Sequence, residues 1–200
     1  MTNEAPRWNH NLHYHPVIIG AVPERCQRAL DVGCGEGTLT CQLRPLVAHV
    51  TGIDPDEASI GLAKAHPDSG DIDYLVGDFL TLPFEPASFD LITMVTSLHH
   101  MDTATALNRT VGLLRPGGVL AIVGVARHRY LADLPYDIAA AIGHRVHLLT
   151  KTLWTQPSPT VWPPPETFKG MHRLAAATLP GVRYRRHLLW RYSLIWTKPT

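Results

Sequence analysis

Asp31-Val32-Gly33-Cys34-Gly35-Glu36-Gly37 follows the apolar pair Ala29-Leu30 and leads into Thr38 to Leu46, where Leu39, Leu43 and Leu46 recur at helical spacing. A strand that breaks into glycines at alternate positions and then starts a helix reads as a ligand loop. Glycine permits a tight turn and close backbone approach, and the helix start offers unpaired N–H groups to a ligand. The spacing is GxGxG, and a GxGxxG dinucleotide fingerprint fails because Thr38 stands where its third glycine belongs.

From Arg28 to Val125 short apolar runs alternate with amphipathic segments, the pattern of βα units on a parallel sheet. Strands are expected at Ala29 to Val32, His49 to Ile53, Ile72 to Val76, Phe89 to Val95 and Val119 to Val125. Helices are expected at Thr38 to Leu46, Asp56 to Ala65 and Thr103 to Leu114, the last stopping before Pro116. Beyond Arg127, Leu131 to Leu153 reads as helical, Thr155 to Pro165 as an extended proline-rich loop or lid, and Phe168 to Leu179 as a short helix. Val182 to Leu188 and Trp190 to Thr197 read as a closing hairpin. Residues 1–200 are therefore expected to form a single domain, with a polar N-terminal segment at 1–27, a βα half at 28–125, a variable region at 126–180 and the hairpin at 181–200.

Two carboxylates sharpen the ligand reading. Asp54 ends the second strand 21 residues after Gly33, where it can accept hydrogen bonds from both ribose hydroxyls. Asp78 follows the third strand, placed to accept from an adenine amino group while Phe79 packs on the ring. Each alone reads equally well as a cap or turn residue. Together with the glycine loop, all at carboxyl ends of strands, they mark a nucleotide-like ligand.

Composition excludes other classes. The 200 residues carry 18 Lys and Arg against 17 Asp and Glu, a formal net charge of +1 that disfavours a dedicated nucleic-acid binder. Cys26, Cys34 and Cys41 are odd in number and spaced neither as a disulfide framework nor as a zinc site, which fits a reducing, cytoplasmic compartment. Met1 to Pro16 lacks the basic and apolar regions of a secretory signal, and no apolar run is long enough to span a bilayer, so no membrane partner is expected.

The blocks DVGCGEG, GIDPDE, GDFLTLPFEPASFDLI, SLHHM and LLRPGGVLAIVG, in that order over Arg28 to Val125, resemble the class I S-adenosylmethionine-dependent methyltransferases, specifically the UbiE-like or methyltransferase type 11 and 25 group. The resemblance implies an α/β, doubly wound, Rossmann-like seven-stranded sheet with strand order 3214576 and the last strand antiparallel. It implies S-adenosyl-L-methionine as cofactor and S-adenosyl-L-homocysteine as product. Asp31 and the loop Gly33, Cys34, Gly35 and Gly37 would surround the methionine part. Asp54 and Pro55 would take the ribose, and Asp78 with Phe79 the adenine. Thr96 and Ser97, just after the fourth strand, would meet the amino-acid portion. Asp31 departs from the glutamate frequent in that position, a shorter reach.

Methyl transfer from a sulfonium needs alignment, and a base only where the acceptor must lose a proton. His99 and His100 follow the fourth strand, and histidine near its ordinary pKa can take that proton. Buried structure is the competing role for either. Tyr14 is a weaker candidate base because its pKa is high. The segment Trp8 to His15 reads as a lid, with Trp8, His13 and His15 as acceptor contacts. His10 and His13 could share a helical face, but no carboxylate or cysteine completes a metal site, so no metal is expected. Tyr130, Trp154 and Trp162 point to a partly apolar or aromatic acceptor, while core packing is the plainer role of the five tryptophans.

Absences narrow the acceptor. No (D/N)PP(Y/F) follows the fourth strand, no cysteine stands there, and only Asp102 is near to hold Mg²⁺. Arg183, Arg185, Arg186, His187 and Arg191 read as a solvated hairpin face, with RNA contact as the alternative. The expected function is methyl transfer to an O or N atom of a small molecule. A cofactor-binding module without methyl transfer, a nicotinamide oxidoreductase, and an RNA or peptide methyltransferase stay open.

Overall fold

The apolar runs do become strands. The computed structural model describes residues 7–154 and 162–200, with the side chains of residues 7 and 130–132 outside that description. The strands are β1 (Arg28–Val32), β2 (His49–Asp54), β3 (Ile72–Val76), β4 (Phe89–Val95), β5 (Leu114–Gly124), β6 (Arg183–Arg186) and β7 (Tyr192–Thr197). They form one sheet in the order β3-β2-β1-β4-β5-β7-β6. Neighbours from β3 through β5 are parallel, and β7 runs antiparallel to both β5 and β6. This is the expected topology, last strand included.

Helices α1 (His15–Ile19), α2 (Thr38–Leu43), α3 (Glu57–Lys64), α4 (Thr103–Leu113), α5 (Tyr130–Leu148) and α6 (Phe168–Thr178) complete the layers. The central strands are buried on both faces, which is why Leu91, Ile92 and Met94 run consecutively apolar but for Thr93. One core packs Leu30, Phe89 and Ile92 against α4 and α6, and the other packs Leu91, Val50 and Ala121 against α1, α2 and the N-terminal segment.

Three expectations shift. β5 begins at Leu114, not Val119, because Leu114 already pairs with Phe89, and a register shift before the Leu91–Val119 pair leaves Arg115 to Gly118 as an irregularity within the strand. Gly118 sits so close to Arg115 O and Phe89 O that an added Cβ would lie 2.9 and 3.1 Å from them. Helix α5 ends at Leu148, and Thr152–Leu153 instead pair in parallel with Arg7–Trp8, a two-residue ladder that ties the N-terminal segment to the far side of α5. The hairpin strands are shorter than expected because residues 187–191 form its bend. Of the expected loop Thr155 to Pro165, residues 155–161 lie outside the described residues. Cys26, Cys34 and Cys41 are buried free thiols, and among the described residues no helix is long and apolar enough to cross a membrane.

Candidate active site

The glycine loop is shaped by what lies across from it. Gly33, Gly35 and Gly37 adopt φ of +70°, +56° and +80°, a region where a side chain is disfavoured. At Gly33 the second constraint is space: a Cβ would fall 2.3 Å from Ser97 Cβ. Ser97 is held there, its Oγ donating to Val32 O at 2.6 Å. Thr96 adopts φ +53° while its N–H donates to Val123 O at 2.7 Å. A β-branched residue in that region is strained, so the turn after β4 is bent against local preference at the point where it meets the glycine loop.

A cavity of about 610 Å³ opens over the carboxyl ends of β1 to β4, the crevice where ligands bind in open parallel sheets. Gly33, Gly35, Asp54, Pro55, Asp78, Phe79, Thr96, Ser97, His99 and His100 line it. Asp54 ties two loops together: Oδ2 accepts from Gly35 N and Oδ1 from Asp56 N, both at 2.9 Å. A carboxylate has roughly four acceptor sites, so capacity for a diol remains. Asp78 Oδ1 accepts from Leu80 N at 2.8 Å, and Phe79 is buried with the Arg109 guanidinium 5.5 Å from its ring centroid. Asp56 and Asp102 cap α3 and α4, accepting from Ser59 N and Thr105 N.

A smaller space of about 30 Å³ adjoins the loop, lined among others by Asn11, His15, Asp31, Gly33, Cys34 and Trp154. Asp31 is buried and accepts from Thr40 Oγ1 at 2.7 Å and Thr93 Oγ1 at 2.8 Å. Burial, aided by the Asp54 charge, raises its pKa to about 6 against the opposing pull of those hydroxyls. Burial also pushes the Cys34 thiol far up, so it stays protonated and packs. Gly37 lines neither space; its role is the left-handed N-cap of α2 against the Tyr74 hydroxyl.

His99 and His100 lie on a single 3-10 turn after β4, ring centroids 4.1 Å apart. Burial first, then His100 and Arg191, lowers His99 to about 4, and burial lowers His100 despite Asp54. His99 Nδ1 is buried with no hydrogen-bond partner among the described residues.

Several expected contacts fall elsewhere. The Tyr14 hydroxyl donates to Leu188 O at 2.6 Å, burial raises its pKa, and the ring packs in the second core, lining neither space. Trp8 is buried under His10, His13, His144 and His147 and meets neither space. His13 packs on Trp8, Tyr14 and His147. His15 reaches the small space, its Nδ1 3.0 Å from Gln42 Oε1. Trp154 does too, placed by its N–H donating to Trp8 O at 2.8 Å. The side chain of Tyr130 lies outside the described residues. Among the described residues no group of three or more histidines, cysteines or carboxylates is arranged to hold a metal ion.

Asn11, expected only as part of the Trp8 to His15 lid, and Arg191, read as a solvated hairpin residue, line the large cavity and meet each other. Arg183 and Arg185 are exposed as expected, but Arg186 pairs with Asp133 at 2.5 Å and Arg191 is drawn into the cavity. Asn11 stands beside the flagged histidines, yet nothing local distinguishes it.

A family profile described as a methyltransferase domain matches residues 30–122. An uncharacterized methyltransferase of Mycobacterium tuberculosis (strain ATCC 25618 / H37Rv) is 35% identical over 196 residues, covering 96% of this chain and 98% of the relative. The ubiquinone biosynthesis O-methyltransferase of Marinobacter nauticus is 33% identical over 124 residues, 57% of this chain and 52% of that protein. The N-methyltransferase NodS from Bradyrhizobium japonicum, solved with S-adenosyl-L-homocysteine, shares the fold with a TM-score of 0.64 at 18% identity, covering 96% of this chain and 89% of that one.

Proposed function

The chain belongs to the class I S-adenosylmethionine-dependent methyltransferases, and from that premise we propose that it methylates an O or N atom of a small molecule bound beside His99. The observation that carries the reading is the single cavity that joins Asp54 at the end of β2 to His99 after β4. Its volume of about 610 Å³ lies within the roughly 300–1,000 Å³ typical of ligand pockets. The fit to the cofactor rests on the Gly33 cradle, which a Cβ would fill against Ser97, and on a carboxylate with free acceptor capacity at the ribose position.

In this reading Asp54 and Pro55 hold the ribose, Asp78 and Phe79 the adenine, and the loop from Asp31 to Gly35 with Thr96 and Ser97 the methionine part. The chemistry the cofactor supplies is a methyl group on a sulfonium, transferred by in-line displacement. The protein's share is alignment. His99, neutral at physiological pH, has a lone pair available for the acceptor's proton, and its low pKa suits an acceptor that is itself acidic. His100, exposed at the rim with its ring centroid 4.1 Å from that of His99, is the second candidate for that proton. Asn11, from the N-terminal segment, borders both spaces, which supports residues 1–27 as the closing lid. Trp154 and Trp162 support the region 126–180 as the acceptor side.

Calorimetric titration with S-adenosylmethionine, S-adenosylhomocysteine and NADH tests the cofactor, and label transfer from methyl-tritiated S-adenosylmethionine into small-molecule pools tests the reaction. Micromolar binding of the first two alone, with a labelled product, is expected. Preference for NADH would overturn the reading.

A further inference from the structure

Arg191 carries a charge that alignment and proton transfer leave unused. Arg191 lines the large cavity together with Asn11, His99 and Trp162, yet no ion pair among the described residues includes it. Its partners are neutral. Nη2 and Nε donate to Asn11 Oδ1 at 2.7 and 3.3 Å, and Nη1 donates to Leu189 O and Trp190 O at 3.3 and 3.4 Å. Those four bonds leave one of the five guanidinium N–H groups, on Nη2, without an acceptor among the described residues. Burial pulls its pKa down to about 10, so the charge persists at neutral pH. A cation drawn out of water with no counter-ion is unfavourable unless a ligand supplies one.

The backbone delivers Arg191 to this place against local preference. Leu189 and Trp190, which precede it, both adopt left-handed φ, +55° and +58°, where bulky residues are rare. Leu189 is locked in the second core, and Trp190 Nε1 donates to Asp137 Oδ1 at 3.0 Å. The bend is thus over-determined from two sides. The carboxylates of the same cavity, Asp54, Asp56, Asp78 and Asp102, are each engaged by backbone N–H groups, Asp54 by those of Gly35 and Asp56 and the others by those of their own loops.

We propose that Arg191, steadied by Asn11, anchors a carboxylate group of the methyl acceptor through the free edge of its guanidinium. The inference rests on the methyl-transfer reading of this cavity. The same chemistry could come from a second source, the carboxylate at the methionine end of the cofactor, because Asn11 borders both spaces.

The test uses the full chain with benzoate and its neutral isostere benzamide, an aromatic pair chosen for Trp162, titrated by ligand-observed NMR with and without saturating S-adenosylhomocysteine. Benzoate should bind at least tenfold tighter than benzamide. Arg191→Gln should lower benzoate affinity at least tenfold while leaving benzamide and S-adenosylhomocysteine within twofold, and Arg191→Lys should restore part of it. Asn11→Asp keeps the guanidinium but supplies an internal counter-ion, and should erase the preference in a protein that melts no lower than the parent. Exposed Arg183→Ala and Arg185→Ala should change nothing. Equal binding of the two probes, no binding of either, or a preference that survives Arg191→Gln overturns the proposal. A tenfold loss of S-adenosylhomocysteine affinity in Arg191→Gln with the benzoate preference intact also overturns it, and assigns the arginine to the cofactor. Should the parent protein fail to bind S-adenosylhomocysteine yet prefer benzoate through Arg191, the anchor stands and the methyl-transfer reading falls.

Discussion

Replacing Gly33 by alanine probes the junction on which the cavity depends. The substitution meets two costs. Left-handed backbone costs an L-residue about 1–2 kcal/mol. The new Cβ would also lie 2.3 Å from Ser97 Cβ and 3.6 Å from Ser97 Cα, and Ser97 cannot swing away without giving up its bond to Val32 O. Overpacking of this kind costs about 1–3 kcal/mol. The sum, about 2–5 kcal/mol, is a large part of the ~5–15 kcal/mol that holds a domain together. For 200 residues it corresponds to a melting point lower by about 4–20 °C, at ~2–4 °C per kcal/mol. Urea unfolding of the parent, Gly33→Ala, Ser97→Gly and the double variant separates the two costs. In the Ser97→Gly background the overlap is gone, and Gly33→Ala should cost only the backbone share of about 1–2 kcal/mol. A single variant that loses under ~1 kcal/mol, or the same loss in both backgrounds, would refute the overlap argument. Cofactor affinity should fall in both alanine variants, because Gly33 borders both spaces.

Three further outcomes are expected. Asp54→Ala should weaken S-adenosylmethionine binding by about 100-fold or more, since two hydrogen bonds to a charged group are worth roughly 1.5–3 kcal/mol each; calorimetry reads it, and unchanged affinity would remove Asp54 from the site. His99→Ala should lower kcat with little effect on cofactor affinity, while His100→Ala costs less. Full turnover in both would exclude a histidine base. Stability should fall on acidification from about pH 6.5 toward 4: burial depresses His10 and His99 to about 4, so the unfolded chain binds protons first in that window. Asp31, raised to about 6, acts in the opposite sense, so Asp31→Asn should steepen the loss. A pH-independent urea midpoint across that range would contradict the buried, neutral histidines.

Much of this site was legible because its constraints are local. Strand β4 is recognisable from Phe89, Leu91, Ile92 and Met94, and β1 from its run into Gly33, since a strand buried on both faces is mostly apolar. Asp54 and Asp78 could be placed because they end strands whose carboxyl ends must share one edge of a parallel sheet. Asp56 and Asp102 announce themselves as helix caps. Tyr14, Trp8 and His13 misled because a polar aromatic segment looks alike whether it covers a ligand or packs on another element. Here α5 brings His144 and His147 to it, with His10 Nε2 3.0 Å from His144 Nδ1, and the cluster is filled from within.

Taken by itself, the order of apolar runs, glycines and strand-end carboxylates marked the parallel strands and the glycine loop and carboxylates at their ends, while the strand order came only with the family resemblance. The strands and the loop rest on periodicity and backbone freedom within a few residues. The part of the cavity that holds Asn11 and Arg191 was decided only by tertiary structure. Asn11 and Arg191 stand 180 positions apart and meet because the closing hairpin folds back over the N-terminal segment. Along the chain Arg191 is one more basic residue on a hairpin; what turns it inward is the left-handed bend at Leu189 and Trp190, which the second core and Asp137 hold from outside the hairpin. Long-range packing overrides local preference there, and no window of sequence contains both halves of that balance.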